Sequence, residues 1–198
     1  MNNQSMAHST LAATLWPRAS RAGTWRLPVL AVIGVIALSV SAKVQIPFYP
    51  VPMTMQTFVV LVTGIAYGTR LGTATLLIYL GVGALGLPVF AGTPEKGIGL
   101  AYMLGPTGGY LVGFVIAGAF CGWLAERGWD RKLVTTAIAM LAGNVLIYLP
   151  GLIWLGTVVG WDKPVLQWGL MPFLLGDLFK LLLAAATLPL VWKAIGRR

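Results

Sequence analysis

Apolar residues gather into six runs along the chain, at 27–46, 54–69, 71–90, 107–125, 133–159 and 168–192. The first spans twenty residues with one charge, Lys43, near its far end. That is the length needed to cross about 30 Å of hydrocarbon at about 1.5 Å of helical rise per residue. The second run is short and meets the third at Arg70-Leu71-Gly72, which predicts a tight hairpin. Every run carries glycine, and small residues suit close helix packing where lipid supplies no hydrophobic drive. Residues 1–26 are polar, carry Arg18, Arg21 and Arg26, and show no apolar period. They predict a flexible cytoplasmic tail ahead of a transmembrane domain over 27–198.

The arginines before the first run, and Ser39-Val40-Ser41-Ala42 near its end, also have the form of a signal peptide with a small-residue cleavage site. The run continues beyond Ala42, which favours a retained first span.

Composition removes the soluble alternatives. Of 198 residues, 58% are hydrophobic and 10% charged, with a mean hydropathy of +0.83. Soluble domains sit nearer half apolar and a quarter charged. No polar stretch is long enough to hold an additional soluble domain.

The formal net charge of +9 lies in short segments between apolar runs, with no basic stripe interleaved with aromatics. It therefore speaks for topology and against nucleic acid. With both termini cytoplasmic, the inner segments hold Arg18, Arg21, Arg26, Arg70, Arg127, Arg131, Lys132, Lys193, Arg197 and Arg198. That is ten of the fourteen basic residues. The outer loops hold Lys43, Lys96 and Lys163. This asymmetry predicts an all-α membrane protein of six transmembrane helices, N-in and C-in.

The unusual loops then fall on the outside. Ile46-Pro47-Phe48-Tyr49-Pro50-Val51-Pro52 is stiff and extended. Residues 91–105 form a long glycine-containing loop with Glu95 and Lys96. Pro150-Gly151 is expected to interrupt the fifth run partway across. Irregular backbone at such depth is tolerated beside protein or a water-filled cavity, which places the site in the outer half of the bundle.

The chemistry concentrates in Gly176-Asp177-Leu178-Phe179-Lys180. A helix beginning near Met171-Pro172 puts Lys180 roughly 12 Å below the outer surface, and the i, i+3 spacing puts Asp177 on the same face. Each charge within a span costs on the order of 2.5–3.5 kcal/mol. Such a pair either neutralises itself and snorkels outward, or forms the polar end of a ligand pocket. Gln56, in Met53-Thr54-Met55-Gln56-Thr57-Phe58, can donate and accept, which suits an amide or ureide ligand or an interhelical bond. In Gly105-Pro106-Thr107-Gly108-Gly109-Tyr110, the paired glycines allow close approach of a helix or a ligand. Asn144 and Tyr148, one turn apart, form a polar stripe that suits either a ligand or a neighbouring helix.

Other chemistries lack their residues. One cysteine, Cys121, makes no internal disulfide or metal cluster. The single histidine, His8, lies in the tail, so no intramembrane triad or zinc site can form. There is no Walker A sequence, and the few acids exclude paired-aspartate metal chemistry. No enzyme activity, metal or cofactor is expected.

With these motifs in order, the chain resembles the BioY family, the biotin-specific substrate-binding (S) components of energy-coupling factor (ECF) vitamin transporters. The resemblance runs from about Leu27 to the C-terminus. It rests on the segments 50–58, 83–92 (Gly-Ala-Leu-Gly-Leu-Pro-Val-Phe-Ala-Gly), 105–110 and 176–180. It implies a six-helix S-component bundle opening outward in a bacterial inner membrane. It also implies biotin as ligand, and a transmembrane coupling protein with two ATPase subunits as partners. The family's Asp-x-x-Lys pair maps onto Asp177 and Lys180, with Gln56, Phe90, Gly108, Gly109, Tyr110, Asn144 and Tyr148 lining the rest. Lys96 would meet the ligand carboxylate. Such components dock their partner through small residues on the first helix, and Ala37 and Ser41 supply a small-x-x-x-small pair here. The competing functions are carriage of another vitamin, such as thiamin or a lipoate-like acid, and a non-transporting structural or regulatory subunit.

Overall fold

The computed structural model of the chain describes residues 9–16 and 25–196. His8, Arg18, Arg21, Arg197 and Arg198, with the expectations placed on them, lie outside these. In chain order come α1 (Leu11–Leu15), α2 (Arg26–Lys43), β1 (Gln45–Ile46), β2 (Met53–Thr54), α3 (Gln56–Ala84) and α4 (Gly99–Met103). They are followed by α5 (Gly108–Ala125), α6 (Leu133–Val159), α7 (Val165–Gly169) and α8 (Leu174–Gly196). Single 3₁₀ turns at Trp129–Arg131 and Met171–Phe173 lead into α6 and α8. Among the described residues, five helices are long and apolar enough to cross a membrane: α2, α3, α5, α6 and the stretch Val165–Gly196. The molecule is a multi-pass, all-helical bundle apart from one small antiparallel ladder, in which Gln45 pairs with Thr54 and Ile46 with Met53.

The 29 residues of α3 do not form one rod. Gly68 takes φ +80° and breaks the helix into limbs 56–67 and 69–84. Residues 56 and 79 of a straight helix would lie about 35 Å apart, yet Gln56 Nε2 is 2.5 Å from the Tyr79 hydroxyl. The chain therefore reverses. A Cβ placed on Gly72 would lie 3.1 Å from Gly64 Cα, so the limbs touch backbone to backbone. The hairpin expected at Arg70-Leu71-Gly72 turns instead at Gly68, because the reversal needs a positive φ that glycine alone adopts freely. Glu126, at the end of α5, secures the turn. Its carboxylate accepts from Thr69 N–H at 2.8 Å and from the Thr69 hydroxyl at 3.0 Å. This satisfies a donor that the helix start leaves orphaned.

Glycines also bring the helices together. A Cβ on Gly64 would collide with the Gly118 carbonyl, and one on Gly113 would lie 2.7 Å from Ile147 O. The limbs of α3 thus pack on α5, and α5 on α6, at backbone distance.

Four expectations need correction. Pro150 does not interrupt the fifth run: α6 is continuous across Leu133–Val159. Instead Pro150-Gly151 forms a notch, since a Cβ on Gly151 would meet the Tyr110 ring and one on Gly109 would meet the Pro150 carbonyl. The third run ends at Ala84, not 90, where Leu85-Gly86 turns the chain. Within the expected flexible tail, Leu11–Leu15 is helical, capped by the Thr10 hydroxyl, and Arg26 Nη2 holds the Ala12 carbonyl at 2.7 Å. Finally, Ala37 is exposed but Ser41 is 5% exposed and donates to Leu38 O. The two residues do not share an open docking stripe, because α2 turns Ser41 inward.

At the end of the bundle holding Gly68 and Glu126, Asp130 is buried and accepts from Trp192 Nε1 at 2.6 Å, joining the 3₁₀ turn to α8. Burial pushes its carboxyl above the usual carboxylate range.

Replacing Gly68 with alanine should destabilise the protein by about 1–3 kcal/mol, the usual penalty for a side chain held at positive φ. The added Cβ would also sit 2.7 Å from Glu126 Oε1 and from Thr10 Cγ2. Thermal unfolding in detergent, followed by tryptophan fluorescence, should show a lowered midpoint for G68A. The control G196A, at a position with nothing within 4 Å, should be unchanged.

Candidate functional site

The 3₁₀ turn with Pro172 feeds α8 so that Asp177 falls in the helix's first turn, where the helix dipole favours a carboxylate. Lys180 follows on the same face, its Nζ 3.0 Å from Asp177 Oδ1. Both residues are 6% exposed, so the pair does not snorkel. Two other helices complete the cluster. Thr57, on the first limb of α3, accepts from Lys180 Nζ at 2.9 Å and reaches Asp177 Oδ1 at 3.4 Å. From α6, the Tyr148 hydroxyl donates to Asp177 Oδ2. A buried charge pair is tolerable only when its remaining lone pairs and protons are engaged in this way.

The pair forms part of the wall of a cavity. Val51 and Pro52 beside the ladder, Thr54 in it, Gln56 and Thr57 on α3, Ala91 in the loop after α3, Tyr102 on α4, and Thr107 form a further part of it. Tyr110, Leu111 and Phe114 on α5, Ile147 and Tyr148 on α6, and Phe173 form the remainder. The wall is largely apolar and aromatic with a few convergent polar groups, the usual constitution of a small-molecule site. Tyr110 is fixed by donating to Gly169 O at 2.8 Å. Tyr102, on the short helix α4 between the long helices, is raised above the ordinary tyrosine range by burial and remains a neutral hydroxyl.

Of the residues singled out in the sequence, Asp177, Lys180, Gln56, Tyr110 and Tyr148 meet at this cavity. The others do not line it. Phe90 stands behind the wall, stacked on Tyr102 at 5.0 Å and edge-on to Tyr79 at 5.4 Å. Gly108 and Gly109 are packed against Met103, Pro150 and Trp154, and they serve helix contact. Asn144 is buried one turn below Tyr148, outside the lining. Lys96 is exposed, its methylenes lying over Gly92, away from the cavity.

Two contributors carried no sequence signal of their own. Thr57 was visible only as the neighbour of Gln56. Lys43, at the end of α2, donates to Phe90 O at 2.9 Å, Thr93 O at 2.8 Å and Thr93 Oγ1 at 2.9 Å. It ties down the loop that carries the Ala91 wall. These partners are mostly backbone carbonyls, which leave no mark in the side-chain pattern.

A family model described as the BioY family matches residues 9–197. The chain is 40% identical over 151 residues to the probable biotin transporter BioY of Pyrococcus horikoshii, covering 76% of this chain and 86% of that one. It is 38% identical over 146 residues to the biotin transporter BioY of Thermotoga maritima, covering 74% and 83%. A crystal structure of the S-component for biotin from an ECF-type ABC transporter superposes with a TM-score of 0.71. That match covers 88% of this chain and 94% of the other at 22% identity, and it shows the shared fold.

Replacing Lys43 with methionine should free the 90–93 loop while keeping the side chain's length. Ligand dissociation should quicken about tenfold, the consequence of losing charge-assisted bonds worth about 1.5 kcal/mol. Stopped-flow displacement measures this, and K43R should restore most of the slow rate.

Proposed function

The chain belongs to the BioY family, and we propose that it takes up biotin as the substrate-binding component of an ECF-type transporter, gripping the vitamin's head at Asp177 and Lys180. The observation carrying this reading is the charge pair, 3.0 Å apart and buried, facing a mostly apolar cavity. Biotin's ureido ring brings two N–H donors and one carbonyl. Asp177 accepts from an N–H, taking it in exchange for the long Thr57 contact, and Lys180 donates to the carbonyl. The thiophane ring and valeryl chain lie along Val51, Leu111, Phe114 and Ile147. Tyr148 keeps the carboxylate oriented.

In this reading the two limbs of α3 count separately, so the bundle has six membrane segments. The end bearing Arg70, Arg127, Arg131 and Lys132 faces the cytoplasm of a bacterial cell, both termini lie there, and the cavity opens outward. The excess of basic residues in those segments supports that orientation. The chain itself performs binding and carriage. A transmembrane coupling protein and two ATPase subunits supply the energy, with Ala37 on the exposed face of α2 part of the contact.

Calorimetry on the detergent-purified chain tests the reading. Biotin should bind saturably at one site, while thiamin and lipoate should not. Asp177→Asn and Lys180→Met should each weaken binding by at least about thirtyfold, since each strands a buried charge, at about 2–5 kcal/mol. Wild-type affinity in both variants would refute the assigned roles.

A further inference from the structure

Tyr79 lies on the 69–84 limb of α3, fully buried and outside the cavity wall. Its hydroxyl bridges two groups: the Gln56 side-chain amide at 2.5 Å and the Val89 carbonyl oxygen at 3.0 Å. A backbone carbonyl only accepts, and a phenol has one proton to give. That proton is committed to Val89, so the phenolic oxygen is left to accept from Gln56. Only the Nε2 end of the Gln56 amide can donate, and it must therefore point at Tyr79. The Oε1 end is turned away from Tyr79 on a residue that forms part of the cavity wall. Among the described residues, Oε1 neither has a protein partner nor is sealed from solvent.

The far end of this relay is also held in place. Val89 precedes Phe90, whose ring packs on both Tyr79 and Tyr102. The carbonyl of Phe90 is itself held by Lys43. The Val89 oxygen thus stays where Tyr79 can reach it, and the sense of the whole chain of bonds is set from the loop inward.

We infer that Tyr79 is a positioning residue that makes Gln56 an obligate acceptor toward the ligand, and so sets which head groups the cavity takes. Asp177 is a second acceptor and Lys180 is the cationic donor. Two acceptors and one donor of fixed sense select a cyclic ureide, with two N–H groups and one carbonyl. They reject a head in which either nitrogen lacks its hydrogen. The inference rests on the reading that biotin's ureido ring occupies this end of the cavity.

The test is calorimetry on the full chain in detergent, with biotin and two analogues methylated on one or the other ureido nitrogen. Wild-type protein should lose at least about tenfold in affinity for each analogue, because each strands a buried acceptor. Tyr79→Phe keeps the ring packing and releases the Gln56 amide to rotate. It should weaken biotin binding by about three- to tenfold and shrink the penalty for one analogue to within about threefold, leaving the other penalty intact. Gln56→Met should lift the penalty at the same nitrogen, an arm that does not depend on the Tyr79 variant folding. The double variant should be no weaker than Gln56→Met alone. Unchanged penalties in both single variants, or losses that add in the double, would overturn the relay while leaving biotin binding standing. Failure of the wild type to bind biotin would overturn both.

Discussion

The candidate site is organised around one buried ion pair, Asp177 with Lys180. An ammonium and a carboxylate taken out of water each lose several kcal/mol of hydration even after relaxation. Their attraction offsets this only when the geometry is good and the other lone pairs and protons are used. Here Lys180 and Asp177 meet at 3.0 Å, and three hydroxyl contacts from Thr57 and Tyr148 surround them. Those hydroxyls come from different helices, so the pair holds only if α3, α6 and α8 converge at one point. The same requirement makes the pair a sensor of anything placed beside it, since a ligand that supplies N–H groups and a carbonyl replaces lost hydration at the site.

Convergence comes from small residues and from one reversal. The turn at Gly68 folds α3 on itself, which puts Gln56 and Thr57 on one limb beside Tyr79 on the other. Backbone contacts at Gly64, Gly113 and Gly118 let α5 lie close enough to α3 and α6 for Tyr110 and Tyr148 to face the same space, their ring centroids 6.1 Å apart. In lipid, where apolar side chains gain nothing by meeting one another, such contacts and polar bonds carry the association of helices. The fold is therefore tight where the site is built and broadly apolar where it faces outward.

Hydrophobic length located two spans closely, the run 133–159 coinciding with α6 and the run 107–125 differing from α5 by one residue, while the runs 54–69 and 71–90 map onto the single broken helix α3. The cost of charge in hydrocarbon singled out Asp177 and Lys180, and the motifs around Gln56, Tyr110 and Tyr148 pointed to the cavity those residues share. Features that exist only through tertiary contact were out of reach. α1 has five residues, far too few to be stable alone, and it is held by Arg26 and the Thr10 cap. Lys43 finds its partners 47 and 50 residues away, two of them backbone carbonyls. Lys96, expected to meet the ligand carboxylate, lies exposed over Gly92, and a charge in a loop does not say where that loop lies. Pro150 reads as a break in the sequence, whereas its neighbours Gly109, Gly151 and Tyr110 absorb it as a packing notch.

In the proposed binding mode the vitamin's ureido carbonyl accepts from the Lys180 ammonium. Solid-state NMR on membrane-embedded protein, with ¹⁵Nζ-labelled lysine and biotin carrying ¹³C at the ureido carbonyl, reads that separation directly. A hydrogen bond requires dephasing equivalent to about 4 Å between the two nuclei, lost in Lys180→Met. A bound vitamin whose ureido carbon shows no lysine nitrogen within that range would rule out the Lys180 contact.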